Sequence, residues 1–384
     1  MGERSHTVSR RTVLKWGGTA GLLSVTGGLA AACARPLPAG TDPSGLLLKP
    51  GFTSRVIARA NEPVAGNPFR AFPDGAATFA DPDVAGGWYL AVNHELPGTG
   101  GVTSIRFAPD GTIVSAAEVL ASTILNCAGG ATPWGTWLSC EETEQGRVWE
   151  VDPTGQKAPV IRSAMGLFVH EAAAVAEDGR VYLTEDRPEG GFYRFTPASP
   201  GDLSKGLLEI ATAPDGVPGP ITWVTVPDVL ATFQPTRFQV ADSVEFNGGE
   251  GAATHLGTVW FTTKGDNRVW SYDTATAQLG IRYQAGRPSE LAGVDNLWID
   301  KLSGGLLVAE DGDDMQVILL RPDSSLDVLA QVPGHDGSEI TGPCFSPDGS
   351  RLYFSSQRGW NSQGLPLGVT YEVTGPFDQL LGRA

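Results

Sequence analysis

The sequence predicts an all-β protein, a six-bladed β-propeller with a Pro- and Gly-rich insertion in the middle of the chain. Six short apolar strands each end in a cluster of charged or amide residues, and a similar cluster opens the strand before each of them. Tight-turn signals such as Asp178-Gly179 and Asp348-Gly349 join the two strands of a pair into an antiparallel hairpin. The 50 glycines and 28 prolines suit many short strands separated by turns.

The hairpins recur at the spacing of propeller blades. A further strand follows each hairpin, and units of about 40–50 residues with about four strands each are typical of a β-propeller. The equivalent opening points lie 53, 44, 79, 45 and 47 residues apart. These points are Asp74, Cys127, Glu171, Glu250, Asp295 and Gly342. The long step contains the insertion, about residues 197–245, in which 201–211 and 226–233 are weak helix candidates.

The strand at residues 54–60 precedes the first hairpin, and we expect it to pair with the last unit and close the ring. Closure removes the exposed sheet edges that promote aggregation. No low-complexity linker divides the chain, so residues 35–384 are predicted to form a single propeller domain. We expect this domain to be a monomer.

The first 34 residues resemble an export signal. Arg10 and Arg11 form a twin-arginine pattern, and a weakly apolar stretch rich in Gly and Ala follows, with small-residue cleavage sites around Ala32. The stretch is short and weakly apolar for a membrane span. We therefore predict a twin-arginine signal peptide over residues 1–34, recognition by the twin-arginine export machinery, and a periplasmic or extracellular protein. Cys33 is a candidate for lipidation, which alone would attach the protein to a membrane.

The formal net charge of the chain is −16. This excess of carboxylates argues against nucleic acids and anionic membranes as partners, because both require basic surface. Carboxylate oxygens instead suit hard cations such as calcium. Solvated acidic surface accounts for most of the charge, so only the placement of particular acids can indicate a site.

The hairpin geometry gathers many of these acids. An antiparallel hairpin brings the start of its first strand and the end of its second strand to the same edge, so all the clusters meet on one face of the ring. The acids expected to line the axis are Glu171, Glu250 and Asp295. Those expected slightly further out are Glu95, Glu141, Glu142, Glu185, Asp186, Glu310 and Asp311. Such clustering is costly without cations, which predicts a metal site.

Cys127 occupies the same opening position as these axial acids, so it is a candidate thiolate ligand. A thiolate among carboxylates favours iron or zinc, with calcium held by the remaining oxygens. The alternative is a disulfide between Cys127 and Cys140, which lie in adjacent predicted strands. Cys344 is predicted to be a small core residue.

Histidines and basic residues near the same face are further candidates. His94 and His170 each precede a glutamate. Each is therefore expected to orient a carboxylate, to act as an acid or base near neutral pH, or to be a structural histidine. Four basic residues flank the loops of this face and either bind an anionic substrate or pair with neighbouring acids. They are Arg187, Lys264, Arg268 and Arg358.

The run at residues 126–142 resembles the PhoX-type alkaline phosphatase family, as do Asn93-His94-Glu95, the segment 170–172 and the segment 341–349. The resemblance implies a six-bladed propeller whose central channel holds an iron–calcium cluster that hydrolyses small phosphate esters. It implies that Cys127, Glu171 and Asp295 ligate the iron centre. Asn93, Glu95, Glu142 and Glu250 fall in motif regions of the family without assignment to one metal.

The chain departs from longer family members at Gly293, where the family has an arginine that contacts substrate phosphate. A double-arginine strand upstream of the cysteine run is also missing. The sequence therefore resembles a shorter branch that retains the ligand framework and lacks two phosphate contacts.

The leading hypothesis is thus an exported metal-dependent phosphatase. Its candidate catalytic residues are Glu171, Asp295, His170 and Arg187, and its candidate metal ligands are Cys127, Glu171, Glu250, Asp295, Glu95, Glu142, Glu310 and Asp311. One alternative is a calcium-dependent, lactonase-like hydrolase with a single metal held by Glu171, Asn296 and Glu310. Another is a non-catalytic periplasmic propeller that binds a partner.

Overall fold

The computed structural model describes residues 39–286, 291–312 and 314–383. The predicted signal peptide and Cys33 lie outside these residues. The regular secondary structure of the described residues is almost entirely strand, with one short helix, α1 (Phe377–Leu381), and 3₁₀ turns at Ser163–Met165 and Thr236–Phe238. None of the described helices has the length and apolar character needed to cross a membrane.

The strands follow one another in short antiparallel runs. Those before the second blade are β1 (Leu47–Leu48), β2 (Thr53–Arg59), β3 (Pro63–Val64), β4 (Asn67–Pro68), β5 (Pro73–Ala80), β6 (Trp88–His94), β7 (Gly100–Phe107) and β8 (Ile113–Thr123). The second and third blades and the insertion contain β9 (Asn126–Ala131), β10 (Trp137–Glu141), β11 (Val148–Val151), β12 (Val160–Ile161), β13 (His170–Val175), β14 (Val181–Glu185), β15 (Phe192–Ser199), β16 (Asp202–Thr212), β17 (Gly219–Pro220) and β18 (Thr222–Thr225). The remainder are β19 (Gly249–His255), β20 (Thr258–Thr263), β21 (Arg268–Asp273), β22 (Gln278–Gln284), β23 (Val294–Ile299), β24 (Leu306–Glu310), β25 (Gln316–Leu320), β26 (Leu326–Gln331), β27 (Ile340–Phe345), β28 (Arg351–Ser356) and β29 (Val369–Thr374).

Six sheets are the blades of a β-propeller, and β3 and β4 form a separate two-stranded sheet. Blades one and two are β5-β6-β7-β8 and β9-β10-β11-β12, and blade three is β13-β14-β15-β16-β18. Blade four is β19-β20-β21-β22-β17, blade five is β23-β24-β25-β26-β1, and blade six is β27-β28-β29-β2. Each first strand contacts the first strands of both neighbouring blades, so six inner strands surround one axis. The predicted six-bladed propeller is confirmed.

The ring closes through β2, as the sequence predicted. This early strand supplies the outer strand of blade six by pairing antiparallel with β29, with Thr53 opposite Thr374 and Arg59 opposite Val369. The N-terminal part of the domain and its C-terminal end therefore share one sheet, which holds the two ends of the ring together.

The two helix candidates in the insertion are wrong. Residues 202–212 form β16, which pairs along β15 and buries Leu203, Leu208 and Ile210 against blade three. Residues 226–233 contain no helix. The segment pairs along most of β15, and this pairing outweighs a weak helical preference. The rest of the insertion adds β18 and β17 to the outer edges of blades three and four.

The core consists of apolar side chains packed between adjacent blades. Phe192 of blade three stacks on Phe261 of blade four with ring centroids 4.3 Å apart, and Phe107 of blade one lies 5.6 Å from Tyr353 of blade six. Cys344 is fully buried in the core between the last and first blades, as predicted. Towards the lower face the channel forms a cavity of about 390 Å³, lined largely by the glycines and alanines of the inner strands.

Every inner strand breaks its register near its start. In β13 the residue paired with Glu185 is His170, and the next pairing joins Ala173 to Leu183, so two inner-strand residues face one partner residue. Similar shifts occur in the other five blades. A β-bulge of this kind redirects side chains, and it lies at the height where the polar clusters begin.

Candidate metal centre

A first ring of polar side chains comes from the second residue of each inner strand. These residues are Asp74, Cys127, Glu171, Glu250, Asp295 and Thr341. In blade six the position is held by Thr341, next to the predicted Gly342, and its hydroxyl donates a hydrogen bond to the carbonyl oxygen of Pro73. Five of the six blades therefore contribute a potential ligand atom from the same structural position.

A second ring comes from the residue that follows the last residue of each second strand. Its members are Glu95, Glu142, Asp186, Lys264, Asp311 and Gln357. Gln357 donates hydrogen bonds to carboxylates of both Asp74 and Glu95, the latter at 2.8 Å. The two rings are thus in direct contact, and together they form one cluster at the upper end of the channel.

Eight side chains of the two rings, together with Glu339, form four overlapping groups. Within each group the ligand atoms lie within 4.8 Å of one another. The groups are Cys127, Glu142 and Glu171; Asp74, Glu95 and Glu339; Glu171, Glu250 and Asp295; and Asp295, Asp311 and Glu339. Each group brings together residues from at least two blades. A thiolate with carboxylates suits iron or zinc, and groups of oxygens alone suit calcium.

Glu171 shows most clearly that the cluster fits cations. It is 1% exposed, and among the described residues neither of its carboxylate oxygens has a hydrogen-bond donor. Oδ1 of the equally buried Asp74 also has no hydrogen-bond donor among the described residues. Buried carboxylates without donors are very unfavourable unless a cation neutralises them.

Burial also raises the pKa values of several buried carboxyls in the cluster. Burial, followed by repulsion from Glu250, raises the pKa of Glu171 well above its usual range. Burial, followed by the charge of Glu339, raises the pKa of Glu95 to about 7. The pKa of Asp295 is also about 7, because burial outweighs the opposing charge of Lys264. Desolvation and then Asp74 raise the pKa of the Cys127 thiol, so without a cation it stays protonated.

Hydrogen bonds from the surrounding framework fix the cluster. The side-chain amide of Asn93 donates to the carbonyl oxygens of Cys127 at 2.9 Å and Ala128 at 2.8 Å, while its Oδ1 accepts bonds from Trp137 and Ser139. Asn93, which the sequence placed in a motif region, therefore orients the strand that carries Cys127. At the rim, Arg358 donates to Glu339 at 2.6 Å.

Glu310 lies outside the four groups. Its Oε1 accepts a hydrogen bond from the backbone N–H of Ala292 at 3.0 Å, and its Oε2 accepts one from Gln316 at 3.2 Å. Glu141 and Glu185 end their strands in the same way and also accept backbone N–H bonds. These three carboxylates hold turns together, and the acid one position later enters the channel.

The predicted catalytic residues His170 and Arg187 are not brought to the cluster. His170 is buried against Phe168, its Nε2 lies 3.1 Å from the carbonyl oxygen of Gly166, and burial lowers its pKa to about 3. Arg187 is partly exposed and donates to Glu144 at 2.9 Å. His94 is also buried with both ring nitrogens near partners and with its pKa lowered to about 3.

The disulfide alternative for Cys127 and Cys140 is not realised. Cys127, Cys140 and Cys344 are the described cysteines, and all three are free. Cys140 is fully buried in the apolar core near Leu138 and Phe168, whereas Cys127 lies with Glu142 and Glu171. The structure is therefore compatible with the thiolate-ligand hypothesis.

Sequence reasoning left four members of the cluster out of the metal site, although it placed Lys264 beside the same face as a possible partner of neighbouring acids. Asp74 was recognised as an opening point but was not assigned to the metal site. Lys264 and Gln357 follow the rule of the second ring, which becomes visible once the strand ends are known. Glu339 precedes β27 and has no equivalent in the repeat pattern, so no sequence signal pointed to it.

Comparisons with known proteins agree with this arrangement. The sequence model of the family alkaline phosphatase PhoX matches residues 95–149 and 144–271. Over these residues the chain is similar to the PhoX family. The matched ranges contain Cys127, Glu142, Glu171 and Glu250. The match confirms the predicted resemblance and supports a phosphoric ester hydrolase of the alkaline phosphatase type.

Solved structures show the same fold. Pseudomonas fluorescens PhoX in complex with vanadate, a transition state analogue, superposes with a TM-score of 0.73 at 19% identity, over 86% of this chain and 96% of that chain. A Bacteroides thetaiotaomicron protein of unknown function reaches a TM-score of 0.51 at 10% identity, over 84% of this chain and 76% of its own. No curated protein matches the sequence.

Proposed function

We propose that this PhoX-type phosphatase hydrolyses small phosphate esters with iron and calcium bound in the upper channel of the propeller. The observation that carries the proposal is the buried Glu171 carboxylate, which has no donor among the described residues and lies beside Cys127 and Glu250. The P. fluorescens PhoX structure, which holds a transition state analogue, supports the substrate class.

The ligand chemistry divides the cluster between the two metals. Cys127, Glu142 and Glu171 would hold iron, because they provide the thiolate. Asp74, Glu95 and Glu339 would hold calcium, because they provide oxygens alone. Glu250, Asp295 and Asp311 complete the acidic wall between the two groups. When bound, the metals would supply positive charge that neutralises the phosphoryl oxygens of the ester.

Arg358 is our candidate for a phosphate contact in place of the arginine missing at Gly293. Its side chain is 43% exposed, and its guanidinium is held by Glu339, a member of the cluster. Arg187 pairs instead with Glu144, which belongs to none of the four groups. A guanidinium presents several donors in a plane, a geometry that matches phosphate oxygens.

The calcium-dependent, lactonase-like alternative loses support. It required Glu171, Asn296 and Glu310 around one metal, but both oxygens of Glu310 accept backbone hydrogen bonds. The side chain of Asn296 is also engaged, donating to Asp295 at 2.9 Å and accepting from the backbone N–H of Gly342 at 2.7 Å.

Export through the twin-arginine route completes the proposal, with residues 1–34 as the signal and residues 35–384 as a monomeric periplasmic or extracellular domain. This route carries folded proteins, so the metals would be bound before or soon after translocation. Lipidation of Cys33 remains the alternative that would attach the domain to a membrane.

The test is metal analysis and activity of protein exported through its own signal. We expect iron and calcium in the purified protein and release of alcohol from an aryl phosphate monoester at alkaline pH. Glu171→Gln should lose metal and activity, whereas Glu177→Gln, which changes an exposed acid, should retain both. Metal-loaded protein without turnover on mono- or diesters would refute the activity, and one calcium without iron would favour the lactonase-like alternative.

A further inference from the structure

The ammonium group of Lys264 lies inside the carboxylate cluster. Its Nζ atom is 2.8 Å from Oδ2 of Asp295, 3.2 Å from Oε1 of Glu250 and 3.3 Å from Oδ2 of Asp311. The side chain is only about a quarter exposed. Lys264 thus forms ion pairs with three acids from two blades.

Lys264 differs in charge from its equivalents. The corresponding residue is a carboxylate in blades one, two, three and five and an amide in blade six. Blade four alone places a cation at this height of the channel. The substitution therefore removes one negative charge from the ring and adds one positive charge to it.

The three acids around Lys264 are also candidate metal ligands. Glu250 and Asp295 belong to the group with Glu171, and Asp295 and Asp311 belong to the group with Glu339. A calcium ion needs its oxygen ligands at about 2.3–2.6 Å and in larger number. An ammonium group that occupies the space between these oxygens excludes a divalent ion from it, both sterically and by like-charge repulsion.

We infer that the Lys264 ammonium group occupies the position of one divalent metal ion in the cluster and supplies a single positive charge there. The inference rests on the proposed metal centre, and it limits where the metals of that centre bind. They are confined to the sides formed by Cys127, Glu142 and Glu171 and by Asp74, Glu95 and Glu339. The corner formed by Glu250, Asp295 and Asp311 is neutralised by the protein itself.

The decisive variant is Lys264→Met, which keeps an unbranched side chain and removes the charge. It leaves three neighbouring carboxylates without their counter-charge, so we expect it to bind about one more calcium ion per chain than the wild type, measured by plasma mass spectrometry after equilibration with calcium. Its thermal midpoint should also rise more steeply with calcium concentration. Lys205→Met, which removes an exposed lysine on β16, should match the wild type in both measurements.

Lys264→Arg keeps the charge and should keep the wild-type metal content. Lys264→Gln provides the same test as Lys264→Met if the latter does not accumulate, and it should also gain one calcium. Unchanged or lower calcium in the neutral variants would overturn the inference, as would an equal gain in Lys264→Arg.

The two proposals fail in different ways. If the wild type binds iron and calcium but the neutral variants gain no ion, the inference about Lys264 falls and the proposed metal centre stands. If the wild type binds no metal and the neutral variants acquire one calcium, the inference stands and the metal-dependent function falls.

Discussion

A Cβ atom on Gly293 would lie 2.0 Å from the carbonyl oxygen of Asp311. Gly293 has a φ of 62°, which is the left-handed region, and its carbonyl oxygen accepts the backbone N–H of Asp311 at 2.7 Å. The loop before β23 therefore has no room for a side chain at the position where longer PhoX-type proteins are expected to have an arginine. The local backbone conformation therefore requires the glycine that this chain has at position 293.

Restoring that arginine should damage the protein. Gly293→Arg is expected to lower the free energy of unfolding by more than the roughly 1–2 kcal/mol that a left-handed non-glycine residue costs, because the side chain also overlaps Asp311. It should not increase kcat/KM for a phosphate monoester. Chemical denaturation and steady-state kinetics of the purified variant test both statements.

Alanine variants separate the two contributions to this cost. Gly98 has a similar φ of 71° but no atoms within 4 Å of the added Cβ, so Gly98→Ala should lose only the conformational part. Gly293→Ala should lose clearly more. Equal losses would show that the contact with Asp311 relaxes easily, and a stable, more active Gly293→Arg would contradict the steric argument altogether.

The propeller was predictable because its evidence is repeated six times. The hairpins, their spacing and the closing strand each depend on local patterns that tertiary packing reinforces. The insertion was less predictable, because β16 is a strand only through its pairing with β15. Its sequence alone does not determine that partner.

The candidate site was predictable as a region but not residue by residue. Adjacent acids such as Glu141-Glu142 and Glu185-Asp186 differ by one position, and the sequence does not show which of the two enters the channel. The end of the second strand decides this, since the final glutamate binds backbone N–H groups and the next residue joins the second ring. Glu310 was assigned to the metal site for lack of this distinction.

The insertion should contribute to stability through Arg237. This residue donates to Oε1 of the fully buried Glu185 at 2.7 Å and also pairs with Glu144. Arg237→Met leaves the Glu185 charge buried without its cation, so we expect a loss of about 3–5 kcal/mol in the free energy of unfolding. Denaturant titration of the metal-loaded protein measures it.

Arg187→Met is the matched control for Arg237→Met. Arg187 pairs with the same Glu144, but both side chains are well exposed, so the loss should be at most about 1 kcal/mol. Activity should persist in this variant, since Arg187 lies outside the metal groups. A large loss of kcat in Arg187→Met without a change in metal content would show that Arg187 acts in catalysis, as the sequence predicted.

The metal-free protein should become less stable as the pH rises. The pKa values of Glu95 and Asp295 rise on folding from ordinary values of 4.5 and 3.8 to about 7. At pH values between the ordinary and the raised pKa, the folded state therefore binds more protons than the unfolded state. Stability is therefore greatest below pH 4 to 5 for these groups and falls towards pH 7, by about 1.4 kcal/mol per pH unit for each group that titrates alone. Glu171 should contribute to the same decline, because burial raises its pKa well above the usual range.

Metal binding should reverse this trend, because protons compete with cations for the same oxygens. Denaturant titrations from pH 5 to pH 9, with a chelator and with iron plus calcium, compare the two states. The chelated protein should lose stability between pH 5 and pH 7, while the loaded protein gains stability over the same interval. A chelated protein that becomes more stable at alkaline pH would mean that the carboxyls are paired by groups other than metals.

Cys127 should determine whether iron is bound. Cys127→Ser replaces the thiolate by a hydroxyl that is a much weaker ligand at neutral pH, so iron content and kcat should fall sharply while calcium remains bound to the oxygen ligands. Cys344→Ala, in the buried core, should cost stability without changing the metal content. Plasma mass spectrometry on both exported variants distinguishes these outcomes. Wild-type iron content in Cys127→Ser would exclude the thiolate as a ligand and leave the carboxylates as the whole metal site.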